Sequence, residues 1–391
     1  MIIVNVGVVD ESDEGGFAWY KLRAFQNAEL TTDHLCRLHM LPASQRDNAR
    51  RMAVQVRVCL LQAQEYFEAA RNSTLATRPV LLYYGMMALA LAEVLVKQDG
   101  ESRLERLREK HGAHGLTLHA NGKIGPSIPL SDLGRRLHAL PQANSAGRFG
   151  TFEVWRQSIR ESPIPARVTE SFPSGGSQAG PRIAFAGADS DDAHLPDSGC
   201  SLLAALCALP QLEEVLAQFG VLGSLIRATL EKEVRHAVDG SETGQLRLTV
   251  HPAPTGLCDA FCSRIKFLPE AVNLLQIIEL PNGMILTAPL QPDPERQLIR
   301  QLPSAVTLSE KYSHFYVGDW SLGESGAFYI ALHICGNLAR YYPEIWIDHI
   351  DRASQLCVVV DRLCEVALRR LPLLTAMELH RIYYIRRLLT A

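Results

Sequence analysis

The chain has 391 residues, of which 47% are hydrophobic and 21% charged, and a formal charge of −3. That length allows a large core and predicts two or three packed units. The near-neutral balance excludes a chain that is basic throughout, so any nucleic-acid site must be a local patch.

The first residues, Ile2 to Val9, read as a strand, since no basic run precedes the apolar one as a signal peptide requires. Arg51 to Ser73 follows as an amphipathic helix. Its Met52, Val56, Cys59, Ala63, Tyr66 and Ala70 alternate at spacings of four and three, which puts them on one stripe. A second helix begins near Arg78 and Pro79 and is apolar to Val96, apart from Glu93. It falls just short of the roughly 20 residues that span a bilayer, and a carboxylate within it is costly in lipid. It therefore reads as a buried central helix that needs other helices on every side. A charged segment, 99–110, then leads into HGAHGL at 111–116.

HANGKIG at 119–125 reads as an Asn-Gly turn, Ser131–Leu140 as a short helix and Phe149–Ile159 as another. Residues 162–199 are rich in Pro, Gly, Ser and Asp and read as a linker or long loop. In the middle, Leu202–Leu209 and Leu212–Val238 read as helices, and Gln245–His251 as a strand. Asn273–Leu280 and Met284–Leu290 flank Pro281-Asn282-Gly283 as a hairpin. Near the end, Ser321 and Glu324 have capping-box spacing before a helix over Gly326–Tyr342. Ile345–Leu371 is predicted helical and stopped by Pro372, with a last helix capped by Thr375 and Glu378.

Several chemistries are excluded by absence of their motifs: no P-loop, dinucleotide fingerprint, HExxH, nucleophile elbow or kinase set is present. The nine cysteines are scattered, and the Cys258–Cys262 pair has no second pair at zinc-ligand spacing. No metal or cofactor is expected, and the thiols suit a reducing, cytoplasmic setting. The histidine cluster is the best candidate for catalysis. Arg108 with His114, and Arg106 with His111, combine an imidazole able to move a proton near neutral pH with a guanidinium able to hold a phosphate. The alternative is that these histidines pack the turn after the apolar helix. Arg340 and Trp346, beside Tyr341 and Tyr342, form a second cluster able to stack a base, or else a helix corner closed by Pro343. Arg381, Arg386 and Arg387 make the chain end basic, for phosphate contact or as a solvated face.

The run 62–96, with Leu81–Gly85 (LLYYG), then His114-Gly115 and Arg340–Glu344 (RYYPE), resembles the YaaC-like family of bacterial proteins. The helix pair also resembles a HEPN bundle. That resemblance implies an RNA-binding or metal-independent RNA-cleaving homodimer, or a subunit of a larger complex, in a defence or stress-response system. Glu109 stands where active HEPN members usually carry Asn, Asp or His.

The expected fold is mainly α: a HEPN-like helical bundle with a small antiparallel β insertion in the middle. The expected units are an N-terminal bundle over 1–161, the linker 162–199, a mixed region over 200–310, and C-terminal helices over 311–391 that pack back on the bundle. The competing functional readings are a non-catalytic helical adaptor and a small-ligand sensor with a pocket beneath the hairpin. No membrane partner is expected.

Overall fold

The computed structural model describes residues 2–9, 13–97, 103–105, 112–159, 162–187, 194–264, 276–281, 283–289, 302, 305–309 and 311–386. Strand β1 (Ile2–Val9) leads into helices α1 (Glu14–Leu22), α2 (Ala28–Leu38), α3 (Arg46–Asn72) and α4 (Arg78–Lys97). Next come β2 (Leu116–Ala120), α5 (Leu130–Arg136), β3 (Leu137–Pro141), β4 (Ala143–Asn144), β5 (Gly147–Arg148) and α6 (Thr151–Ser158). Then follow β6 (Ser162–Ser171), β7 (Ser177–Gly187), β8 (Cys200–Ser201), α7 (Leu202–Cys207) and α8 (Glu213–Gln218). The middle ends with β9 (Leu225–His236), β10 (Glu242–Val250), α9 (Thr255–Arg264), β11 (Gln276–Leu280) and β12 (Gly283–Pro289). The chain closes with β13 (Ala305–Thr307), β14 (Ser313–Tyr316), α10 (Gly323–Tyr341), α11 (Pro343–Asp351), α12 (Gln355–His380) and β15 (Ile382–Arg386).

Helix α4 is the centre of the main core, packed against α3, α6, α10 and α12. Its apolar sequence has no solvent face to spare, and Leu82, Met86, Leu89, Val94 and Val96 are all buried. Among the described residues it is the one helix long and apolar enough to cross a membrane, and 72% of its most apolar window is buried inside the protein. Helices from both ends of the chain meet here: α1 packs on α12, and α10 and α12 pack on α4.

The strand content overturns the expectation of a mainly α bundle with a small β insertion. A ten-stranded mixed sheet runs in the order β11-β12-β10-β9-β6-β7-β1-β15, with β14 also on β9 and β13 on β14. Its strands come from the beginning, middle and end of the chain, so the fold is mixed α and β. β1 pairs in parallel with β15, and β6 pairs in parallel with β9. Such non-local pairing leaves no local signal beyond each strand's own pattern. A second, smaller core lies on this sheet around Ile226, Leu230, Leu248, Phe261, Leu286 and Phe315.

Local readings change as well: the helix expected over Ser131–Leu140 becomes strand from Leu137, and the one over Ile345–Leu371 is broken between Asp351 and Gln355. Within the stretch read as a linker, residues 162–187 form the antiparallel pair β6 and β7. The buried side chains of Ile164, Ala166 and Val168 recur every second residue, and the Ser-Gly-Gly run is the turn, with Gly175 at φ 84°. Residues 225–236, expected as helix, form β9; burial of Ile226, Ala228 and Leu230 has period two despite helix-favouring Glu, Lys and Arg. Pro372 does not stop α12, which runs from Gln355 to His380. An internal proline costs about 3 kcal/mol, and burial of Leu371, Leu373, Ala376 and Leu379 along the same turns offsets it. The helix ends instead at Arg381, whose left-handed backbone (φ 56°) turns the chain into β15.

Buried acids tie the helices together. Glu93 on α4 accepts hydrogen bonds from the Trp155 indole of α6 at 2.8 Å and the Thr375 hydroxyl of α12 at 2.6 Å. Thr375 thus serves α4 rather than capping a separate last helix. Burial holds the Glu93 carboxyl above its usual range, with Glu378 adding to the rise and Lys97 opposing it. The sign follows from linkage: folded Glu93 keeps a proton that the unfolded chain releases near pH 4.3. Wild-type stability therefore falls as pH rises from about 4.3 through the folded value, by at most about 1.4 kcal/mol per pH unit for one group. Glu93→Gln cannot ionise and is expected to flatten this part of the profile. Urea midpoints from pH 4 to 7 provide the check; parallel profiles for the two proteins would exclude Glu93 as the source.

Candidate functional site

The Leu81–Gly85 run places two adjacent tyrosines on different sides of α4. Tyr83 points into the core and is buried, while Tyr84 stays half-exposed. Gly85 allows the neighbouring helix to close: a Cβ there would lie 2.7 Å from the Phe67 ring of α3. Phe67 takes the core position, and the next residue back, Tyr66, is only half-buried and stacks on Tyr84, with ring centroids 5.8 Å apart and planes 26° apart.

His114 reaches the same place from the segment between α4 and β2. Its ring lies 5.6 Å from that of Tyr83 and 6.2 Å from that of Tyr84, and its Nδ1 is 3.3 Å from Met87 Sδ. The backbone around it is clamped. The first amides of α6, from Thr151 and Phe152, donate to the Ala113 and His114 carbonyls at 2.8 and 3.1 Å. Those amides lack intrahelical acceptors, so the loop satisfies the helix start while the helix fixes the loop. Gly115 has φ 85° and a Phe152 amide 3.0 Å from where a Cβ would sit. The glycine after His114 is thus required by backbone conformation and close approach.

Helix α10 completes the cluster. Its Arg340 guanidinium donates to the Tyr84 hydroxyl and lies 5.9 Å from the Tyr84 ring centre and 5.1 Å from that of Tyr341. Tyr341 is 58% exposed. Beneath them, buried His333 packs edge-on against Tyr83 at 5.2 Å, and its carbonyl accepts from Asn337 at 2.7 Å. Burial, then the nearby His114, lowers the His333 imidazole to about 3, so it is neutral. Burial also lowers His114, and the positive charge of Arg340 lowers it further. His114 is therefore an uncharged imidazole at neutral pH, beside a guanidinium that stays charged. The cluster combines the half-buried Tyr66–Tyr84 stack and the exposed Tyr341 ring with one fixed cation and one proton acceptor.

The structure thus unites two residues that the sequence placed in separate candidate clusters, His114 and Arg340. Arg106, Arg108, His111 and Arg387 lie outside the described residues. Trp346 has no exposed surface and donates through its indole nitrogen to the Leu75 carbonyl at 3.1 Å, so it closes a helix corner and has no face for a base. Arg381 follows α12 beyond Thr375, which meets Glu93 about 13 Å further along α4 than Tyr84 at 1.5 Å per residue. Arg386 is exposed at the last position of β15, its amide donating to the Leu308 carbonyl. These arginines are not part of the Tyr84 cluster. Sequence reading missed Tyr66 and Tyr84 as site residues, while Tyr341 already stood beside Arg340 in the second cluster; the available signal was a tyrosine pair inside an otherwise aliphatic helix.

Among the described residues no group of three or more His, Cys, Asp or Glu side chains is arranged to hold a metal ion. A separate open cavity of about 650 Å³ is lined by Ile124, Pro126, Ile128, Tyr342 and Ile345, among others. It lies at the 120–128 turn.

The tyrosine pair, Gly85 and His114-Gly115 all fall within one matched segment: residues 23–128 match the family described as YaaC-like Protein. The chain carries a YaaC-like segment. No curated protein and no solved structure matches the chain. The YaaC-like match contains α3, α4 and His114 and ends before Arg340, so α10 supplies its part of the cluster from outside the matched segment. Within the YaaC-like segment, Gly85 and Gly115 are explained by packing and backbone conformation, whereas the outward tyrosine and the histidine are not needed for either.

Proposed function

We propose that the Tyr84 cluster binds single-stranded RNA. The observation that carries this reading is the convergence of exposed Arg340 and Tyr341 on half-buried, uncharged His114 and the half-buried Tyr66–Tyr84 stack. Aromatic faces stack unpaired bases, and a guanidinium held at its rim meets the backbone phosphate. His114 is suited to accept the proton of a ribose 2′-hydroxyl. The freed oxygen would attack the adjacent phosphorus, the 5′-oxygen would leave, and Arg340 would offset charge on the phosphoryl oxygens.

Fluorescence anisotropy with a labelled single-stranded oligoribonucleotide tests the binding. Base stacking on an aromatic side chain contributes about 1–3 kcal/mol, so Tyr84→Ala is expected to raise Kd roughly five- to hundredfold. Arg340→Ala should weaken binding and flatten its salt dependence. Unchanged affinity in both variants would refute the reading. Gel analysis of the same RNA separates cleavage from binding: His114→Ala should abolish cleavage while affinity and thermal midpoint stay near wild type. Undiminished cleavage would remove His114 from the proton-transfer role.

A further inference from the structure

We propose that the cavity at the 120–128 turn binds a small amphipathic anion, an apolar body carrying one carboxylate or phosphate. The cavity measures about 650 Å³, within the range that holds small molecules. Its walls are apolar: Ile124, Pro126 and Ile128 come from the turn, and Tyr342 and Ile345 from the corner between α10 and α11. Lys123 is the one charged side chain among the described lining residues, and it is exposed. Nearby Arg136 is paired with Asp132, whereas Lys123 has no acidic partner among the described residues. An apolar body gains free energy by leaving water against these walls. The ammonium beside them favours a negative head over a neutral or positive one.

The turn is held in shape from beneath. His349 of α11 has no exposed surface, and its Nε2 donates to the Ile124 carbonyl at 2.9 Å. That sense is fixed, because a carbonyl only accepts. Nδ1 then accepts from the Ser354 hydroxyl at 2.7 Å, and Ser354 Oγ itself caps α12 by accepting from the Cys357 amide. On the other flank Arg136 donates to the Lys123 carbonyl at 3.1 Å, and the Asn121 amide donates to the Arg136 carbonyl at 2.9 Å. The backbone at Lys123 and Ile124 is thus already ordered, which lowers the entropic cost of binding there. None of these side chains belongs to the Tyr84 cluster, so binding here does not depend on the RNA site.

Isothermal titration calorimetry of the full chain tests the proposal with three probes of one shape: naphthoate, naphthyl phosphate and the neutral naphthylmethanol. At least one anion should bind saturably, and about fivefold or more tighter than the alcohol. Whichever anion binds more tightly tells a carboxylate ligand from a phosphate. K123E should raise the Kd of that anion by about tenfold or more, while K123R should stay near wild type. Gly125 also lines the cavity, and a Cβ there meets nothing within 4 Å. G125F can therefore occupy the space without displacing the backbone, and should abolish binding with a thermal midpoint near wild type. Equal affinity for the alcohol and the anions, an unchanged Kd in K123E, or saturable binding that persists in folded G125F would each overturn the proposal. Failure of both anions to bind saturably would do the same.

Discussion

Replacing Arg370 with Met is expected to destabilise the protein by about 3–5 kcal/mol, the usual cost of leaving one partner of a buried ion pair uncompensated. Arg370 on α12 donates twice to Glu324 on α10, at 2.7 and 2.8 Å, and both side chains are 4% exposed. Gln211 also donates to the carboxylate at 2.6 Å, and Arg370 lies 3.4 Å from the Thr307 carbonyl of β13. The pair therefore sits where the helical core meets the sheet. Glu324, which the sequence suggested as half of a capping box, is used here instead. Removing the guanidinium strands the carboxylate in a site where water cannot replace it. The double variant Glu324→Leu/Arg370→Met is expected to recover most of the loss, since the cost lies in the orphaned charge. Urea unfolding of the three variants provides the measurement. A loss below about 1 kcal/mol in the single variant would mean that the site hydrates freely.

Trp346→Ala is expected to cost about 3–5 kcal/mol, through lost transfer free energy and the cavity left behind. Trp346 is completely buried at the corner between α10 and α11 and donates to the Leu75 carbonyl in the connection between α3 and α4. Trp346→Phe keeps an aromatic ring and loses the hydrogen bond, at about 1 kcal/mol for the bond plus a smaller packing loss. Neither change touches the exposed stacking faces. RNA affinity of the folded Trp346→Phe protein should therefore match wild type, while Tyr84→Ala weakens it. A selective loss of RNA binding in Trp346→Phe, with stability unchanged, would return Trp346 to the binding surface. Thermal unfolding and anisotropy on the same samples separate the two outcomes.

The candidate site was legible in halves. His114 stood out because imidazole and guanidinium groups follow the end of an apolar helix. Arg340 stood out because it precedes two tyrosines and a proline. Nothing in either neighbourhood says that they meet, because Tyr84 and Arg340 are 256 residues apart and are joined by the packing of α10 on α4. The same distance in sequence explains why Trp346 looked like a stacking residue. An aromatic beside arginine reads alike whether its ring faces water or the Leu75 carbonyl, and only the course of the α3–α4 connection distinguishes them. His333 was invisible for a related reason: a histidine in an aliphatic helix gives no clue to the tyrosine against which it packs.

The fold divides along the same line. The α3–α4 pair and the burial of α4 were legible in the residues alone, since a stripe at 3.6-residue period and an unbroken apolar run are local properties with one economical solution. So were β1, β10 and the β11–β12 pair, where alternation or a Pro-Asn-Gly turn lies within a few residues. Packing between distant segments sets the rest: residues 225–236 extend, Pro372 lies within a helix, and β1 and β15 pair side by side. In each case the deciding energy is burial against residues distant in the chain, which outweighs a local preference worth about 1 kcal/mol per residue for propensity and about 3 for an internal proline. The meeting of His114, Tyr84 and Arg340 belongs to that second category, because a surface cluster exists only once its helices have packed.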